Sequence, residues 1–190
     1  MDSQNVNWPQ EHTVLVDTTE SWNTAFTATG WPRDMFRIAL SYQTAAEQLI
    51  TDCDEGRMDP DHVVFSFLFL WRHHVELLLK VMITQANYAS GQQQKPPFGH
   101  RLDQLWNELR PLLSTSFPSE TATLDKCEKI ILQLAALDSD GTAFRYVFDE
   151  KGKWILSPSV ERINLIHFHE ALDGVSNALS AAYDMLNEGR

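Results

Sequence analysis

The stretch DPDHVVFSFLFLWRHHVELLLKVMITQAN, residues 59–87, decides the fold of this chain. Asp59 is a good N-cap residue, and Pro60 suits the first helical position, where no backbone amide donor is required. Residues 63–71 are apolar nearly all the way round, and a helix of that kind is buried on every side. The stretch therefore predicts the central helix of a bundle, with residues 63–71 buried on every side.

Charged residues mark the second half of this helix. Arg72, Glu76 and Lys80 follow one another at four-residue spacing and so share one face. In a structural interpretation, which we favour, Glu76 pairs with both bases and holds a buried polar strip, because buried charges need partners. In a functional interpretation, Arg72 lines a phosphate pocket together with His73 or Lys80.

Composition and charge limit the class of protein. The chain has 190 residues, of which 43% are hydrophobic. This length and composition predict one domain with a hydrophobic core. We divide it into a polar N-terminal arm, residues 1–30, and a single helical domain, residues 31–190. The net charge of −11 argues against a general nucleic-acid binder. However, residues 62–190 hold 15 acidic and 12 basic residues, which leaves room for a local basic site.

Periodicity predicts the other elements. Apolar residues at helical spacing indicate four further helices, and an alternating segment with a two-residue turn indicates a β-hairpin. The helices are expected at residues 30–54, 102–113, 119–137 and 157–187, and the hairpin is expected to pair residues 144–148 with 154–156 across Lys151-Gly152. The predicted fold is all-α: an up-and-down helical bundle of about five helices with a small β-hairpin before the last helix.

Three segments resemble motifs of the HEPN superfamily (higher eukaryotes and prokaryotes nucleotide-binding domains). Glu76-Leu77-Leu78-Leu79-Lys80 is similar to its E-x-x-L-K helix. Gly99-His100-Arg101-Leu102 resembles G-H-D-L, which opens the next helix, with Arg101 in place of the acid. Phe144-Arg145-Tyr146 resembles R-Y-P-D, with Val147 where proline is usual. The segments occur in the family's order, between residues 76 and 146 of the chain.

The resemblance implies a helical bundle that is commonly dimeric through its last helices. Roles in the family include metal-independent RNA cleavage, the toxin half of toxin–antitoxin pairs, defence against phage and non-catalytic scaffolding. A fold does not choose among these roles, so the site residues must. As ligand-binding candidates we take Arg72, Lys80, His100 and Arg145.

Catalytic members of the family use R-x4–6-H at the start of the last helix, and Arg162 and His167 have that spacing. An imidazole can shuttle the 2′-hydroxyl proton while a guanidinium neutralises the phosphate. Ile163 stands where active members usually have a polar residue. On a helix, a separation of five residues places the Arg162 and His167 side chains ~140° apart around the axis, whereas His169, seven residues on, lies within ~20° of Arg162. The alternative, purely structural roles are a core position for His167 and a salt bridge between His169 and Asp173.

The sequence predicts neither a metal site nor a cofactor. His73-His74 and His167/His169 are not spaced to chelate an ion from one helix face. The chain has no Walker loop, no Rossmann glycine fingerprint and no nucleophile elbow. No membrane span is expected, because only nine residues, 63–71, run without an ionisable group. Two cysteines and no signal peptide make a cytoplasmic location the expectation.

Three functions follow as hypotheses, in order of preference. The first is a non-catalytic HEPN-like module, associated with a nucleotide, RNA or a partner protein, in a bacterial toxin–antitoxin or phage-defence type system. The second is a metal-independent endoribonuclease that acts as a homodimer through the last helix. The third is an acidic, antitoxin-like scaffold protein that docks through its polar arm or through a small-residue stripe on the last helix, formed by Ala171, Gly174, Ala178 and Ala181.

Overall fold

The computed structural model describes residues 33–92, 97–146, 148, 151–152 and 160–188. These contain five α-helices, and a single 3-10 turn lies between the third and the fourth, at Pro118–Glu120. The all-α prediction is confirmed, whereas the predicted arm, residues 1–30, lies outside the described residues. The helices are α1 (Arg33–Asp54), α2 (Pro60–Ala89), α3 (Leu102–Ser116), α4 (Thr121–Leu137) and α5 (Leu165–Glu188).

Helix α2 is the centre of the bundle, as predicted, and packs against α1, α3 and α5. It begins where the sequence indicates: the Asp59 carboxylate accepts a 2.9 Å hydrogen bond from the backbone N–H of Asp61, and Pro60 is the first helical residue. This cap satisfies one of the backbone donors that the first turn leaves unpaired. None of the described helices combines the length and the apolar character that crossing a membrane requires.

Burial along α2 differs from the prediction that residues 63–71 are buried on every side. Phe65 is 50% exposed and Phe69 is only partly buried. The continuous burial lies in the second half, at residues 74–79 and 81–86. There α2 contacts α1 at Ala39 and α5 as far as Asn187. Neighbouring helices, and not apolar content alone, decide which turns of α2 are enclosed.

Contacts along the helices fix their directions. The pairs Ala39–His74 and Tyr42–Phe69 show that α1 and α2 are antiparallel. In contrast, α2 and α5 run parallel, because their contacting residues advance together along the two helices. These contacts join Phe67 to Phe168, Trp71 to His169, His74 to Ser176, and Gln85 to Asn187. Five alternating helices would make α2 and α5 antiparallel, so the strict up-and-down order does not extend to α5. A long crossover between α4 and α5 permits this arrangement.

The predicted β-hairpin is not supported. The part of the chain that the structure describes contains no strand, and the first residues assigned to the hairpin form a turn. Backbone N–H groups of Arg145 and Tyr146 both donate to the carbonyl of Thr142 at 3.0 Å, which curls the chain instead of extending it. Phe144 is buried in the helical core. The proposed return strand, residues 154–156, lies outside the described residues.

Helix α5 begins later than the predicted residue 157. Its first residue is Leu165, and residues 160–164 have no regular secondary structure. The Asn164 side-chain oxygen accepts a 3.0 Å hydrogen bond from the backbone N–H of His167, as an N-cap residue does. Arg162 therefore lies before the helix, and the rotation argument used for Arg162 and His167 does not apply.

Candidate functional site

Three of the four candidate ligand-binding residues, Arg72, Lys80 and His100, contact the Glu76 carboxylate. Arg72 and Lys80 flank Glu76 on α2, and His100 precedes α3. Arg145 belongs to the turn after α4, and its guanidinium donates to the Gly141 carbonyl at 2.7 Å. The structure thus brings together residues that are far apart in the sequence.

Arg72 holds this cluster together. Its guanidinium is buried, donates to the Glu76 carboxylate and to the backbone carbonyl of His100, and pairs with Asp138 at 3.3 Å between Nε and Oδ2. A buried cation needs partners of this kind because isolated charge in the interior is strongly unfavourable. The structural interpretation of the charged ladder is therefore confirmed, and Arg72 is committed to internal contacts.

The second oxygen of Glu76 is shared by Lys80 and His100. Glu76 Oε1 accepts a 2.8 Å hydrogen bond from Lys80 Nζ and a 2.9 Å hydrogen bond from His100 Nδ1. Burial alone would raise the pKa of Glu76, but the Lys80 hydrogen bond, the Arg72 charge and the His100 hydrogen bond together hold this pKa below its usual value. Glu76 is therefore an ionised, internal counter-ion to three bases.

The turn that carries Arg145 is fitted to Arg72. The Asp138 carboxylate accepts hydrogen bonds from the backbone N–H groups of Gly141, at 2.8 Å, and Ala143, at 3.1 Å. Gly141 has a φ of +86°, and a Cβ there would lie 3.3 Å from the Arg72 guanidinium. Glycine is required at this position both by the backbone conformation and by the close approach.

Three bases of the cluster differ in how far they reach solvent. The His100 side chain is 68% exposed, Arg145 is exposed, and Lys80 keeps 12% of its side chain in contact with solvent. The exposed carboxylate of Asp140, in the same turn as Arg145, accepts hydrogen bonds from the Thr142 amide and hydroxyl. His100, Arg145 and the tip of Lys80 can therefore meet an anionic ligand.

Aromatic rings adjoin these bases, in a group we term the ring cluster: Tyr42, Phe69, His73 and Tyr146. The His73 ring stacks on Phe69 at 5.5 Å between centroids, and Tyr42 meets His73 edge-on at 4.6 Å. The Arg145 guanidinium lies 5.9 Å from the Phe69 centroid and 5.6 Å from that of Tyr146. Sequence reasoning missed this cluster, although the four-residue spacing of Phe65, Phe69 and His73 was a signal for it.

The candidate catalytic residues are placed differently. Arg162 and His167 are both exposed, and in the described part of the chain they share no hydrogen bond with each other. The His169 ring packs on Trp71 at 5.4 Å, and its buried Nδ1 has no hydrogen-bond partner. The alternative His169–Asp173 pair is not observed: the Asp173 carboxylate instead accepts hydrogen bonds from the Gln43 and Asn177 side chains.

The adjacent histidines of α2 point in different directions. His74 is fully buried, where Nδ1 donates to the Ala39 carbonyl at 2.7 Å and Nε2 lies 2.9 Å from the Ser176 hydroxyl. Burial lowers the pKa of both His73 and His74. No group of three or more histidine, cysteine or acidic side chains is placed to hold a metal ion among the residues that the structure describes.

The small-residue stripe of α5 is only partly covered. Ala171 and Ala178 are half-buried, whereas Gly174 and Ala181 are exposed. A Cβ at Gly174 would meet open space. The stripe thus neither packs fully against another described helix nor shows what would cover it.

Comparison of this chain with family models, with curated proteins and with solved structures gives no match. The site must therefore be interpreted from its own geometry. The fold and site define an all-α helical bundle with a buried charge cluster beneath exposed bases and aromatic rings.

We expect Arg72→Met to lower the free energy of unfolding by about 3–5 kcal/mol, because Glu76 and Asp138 would lose a buried counter-ion. The matched control is Arg101→Met, which removes an exposed pair with Asp103 and should cost less than about 1 kcal/mol. Urea unfolding of both variants checks this difference, and equal losses in the two would contradict the role given to Arg72.

Stability should also fall as the pH is lowered. The folded-state pKa of His73 and of His74 lies below the ordinary value of about 6.5. Their contribution to the free energy of unfolding is therefore complete above pH ~6.5 and is lost as the pH falls towards the folded-state pKa. Glu76, with its lowered pKa, adds a further loss at more acidic pH. Urea midpoints across this range, with NMR titration of His74, measure the effect; a midpoint that rises on acidification would refute it.

Proposed function

We propose that this protein is a non-catalytic, HEPN-like module that binds the phosphate groups of a nucleotide or RNA, in a bacterial toxin–antitoxin or phage-defence type system. The observation that carries this proposal is that Lys80 and His100 pair with the same Glu76 oxygen, while Arg145 lies in the turn that packs on Arg72. Phosphate oxygens accept hydrogen bonds from such bases, and charged donors make the stronger bonds.

The arrangement of the cluster supports binding at a prepared surface. Arg72 ties the segment before α3 and the turn after α4 to the same helix, which holds His100 and Arg145 in place before a ligand arrives. Preorganised groups lose less conformational freedom on binding. The excess of acidic residues in residues 1–61 leaves this later part of the chain close to electrically balanced.

The geometry of the first turn of α5 supports the non-catalytic form of the proposal. A general base must reach the proton that it abstracts, and a positioning partner usually orients it. His167 is exposed without such a partner among the described side chains, and the His169 ring packs into the bundle against Trp71. Within the described part of the chain, no hydrogen bond joins Arg162 to either imidazole.

One observation favours a second candidate, a metal-independent endoribonuclease acting as a dimer. Arg162 lies in an irregular segment and not on the helix, so its side chain is not forced away from that of His167. Both side chains are exposed, and a second copy that docks along α5 would bring another Arg162 and His167 to the same surface. The exposed small residues Gly174 and Ala181 lie on this helix.

We expect Lys80→Met and His100→Gln each to weaken binding of a short fluorescently labelled single-stranded RNA, measured by anisotropy at low and moderate salt. Loss of one phosphate contact should lower the slope of log affinity against log salt by about 1. Lys129→Met, on the exposed face of α4, is the matched control and should bind as the wild type does. Failure of the wild type to bind at low salt would reject the proposal.

Incubation of the pure protein with labelled RNA in EDTA separates the two candidates. The non-catalytic module leaves the RNA intact. Cleavage by the wild type that is lost in both Arg162→Ala and His167→Ala would establish the endoribonuclease instead, because removing a general acid–base group typically costs about 10²–10⁴ in rate.

A further inference from the structure

One side of α2 carries aromatic residues and, further along, the buried Glu76 and the partly exposed Lys80. With 100° of rotation per residue, Phe65, Phe69, His73, Glu76 and Lys80 fall within an arc of ~80° on the helix. Phe65 is 50% exposed, and Phe69 and His73 are partly buried. Rings therefore occupy the first part of this face and charged groups the second.

Residues from other elements widen both parts of the face. Tyr42 of α1 packs against Phe69 and His73. Tyr146 is 58% exposed beside the Arg145 guanidinium, and Arg145 lies near both Phe69 and Tyr146. Arg145 contacts the rings and also carries a positive charge, so it places a cation beside the aromatic part of the face.

The chemistry of this face specifies its ligand. Exposed rings accept a flat, π-bearing partner, and base–aromatic stacking is favourable with any base because every base has a π-face. The neighbouring basic side chains donate hydrogen bonds to phosphate oxygens. We infer that this face, from Phe65 to Lys80 together with Arg145 and Tyr146, binds unpaired nucleotides of single-stranded RNA. The nucleobases stack on the aromatic rings, and the phosphates contact the basic side chains.

The inference rests on the proposed function and makes it more specific. From residue 65 to residue 80, α2 rises by ~22 Å, whereas one stacked nucleotide spans about 3.4 Å along a strand. The face is therefore longer than a mononucleotide. A duplex hides the π-faces of its bases in the stack, so it could use the cations but not the rings.

The test compares four competitors in anisotropy measurements on the full chain: a single-stranded RNA, an abasic oligonucleotide of the same length, an RNA duplex and AMP. We expect the base-bearing single strand to bind at least about fivefold more tightly than the abasic strand, as one stacked base requires. The duplex and AMP should compete more weakly than the single strand.

Variants locate the stacking surface. Tyr146→Leu and Phe65→Leu, both at exposed positions, should each reduce the preference for the base-bearing over the abasic strand by at least about fivefold. The matched control is Tyr88→Leu, at an exposed tyrosine beyond the arc of the face, and it should keep that preference. Circular dichroism spectra confirm that each variant is folded.

The outcomes distinguish the inference from the proposed function. Equal affinity for base-bearing and abasic strands, with Lys80→Met still weakening both, would overturn the inference and leave phosphate binding intact. Competition by AMP or by the duplex as strong as that of the single strand would also overturn it. Binding of no probe by the wild type would reject both.

Discussion

The buried guanidinium of Arg72 is the constraint on which the rest of the structure depends. It donates to Glu76 on its own helix and to the His100 carbonyl before α3, and it pairs with Asp138 after α4. A cation in the interior is tolerated only when such partners surround it. The need to neutralise one side chain thus fixes three segments that are remote in the sequence, and two of them carry the exposed bases His100 and Arg145.

The local part of this arrangement could be predicted from the sequence, whereas the long-range part could not. Arg72, Glu76 and Lys80 are neighbours on any α-helix, so their spacing alone predicts the pairs that form. Asp138 and the His100 carbonyl reach Arg72 only through the tertiary fold. Helical periodicity carries no information about such partners, which is why the phosphate-pocket interpretation of Arg72 could not be separated from the structural one.

Two other departures have the same physical origin. The apolar segment 63–71 predicts complete burial, yet Phe65 stays exposed because no described helix covers that side of α2. The alternation of Phe144 and Tyr146 is typical of a strand, but carboxylate and carbonyl acceptors at Asp138 and Thr142 curl this segment into turns. The apolar content of a segment and the periodicity of its apolar residues indicate which of its side chains can be buried. Which surfaces are enclosed depends on how α5 crosses back to run parallel to α2.

The same counter-ion that stabilises the cluster limits what its bases can do alone. Glu76 already accepts from Lys80 and from His100, so a phosphate meets bases whose charge is partly neutralised. In a chain of net charge −11, long-range attraction of RNA is also weak. Charge therefore supplies only part of the binding free energy in the proposed function. The adjoining rings would supply the remainder through stacking, which screening by salt does not remove, and an acidic protein would in this way favour unpaired bases over duplex.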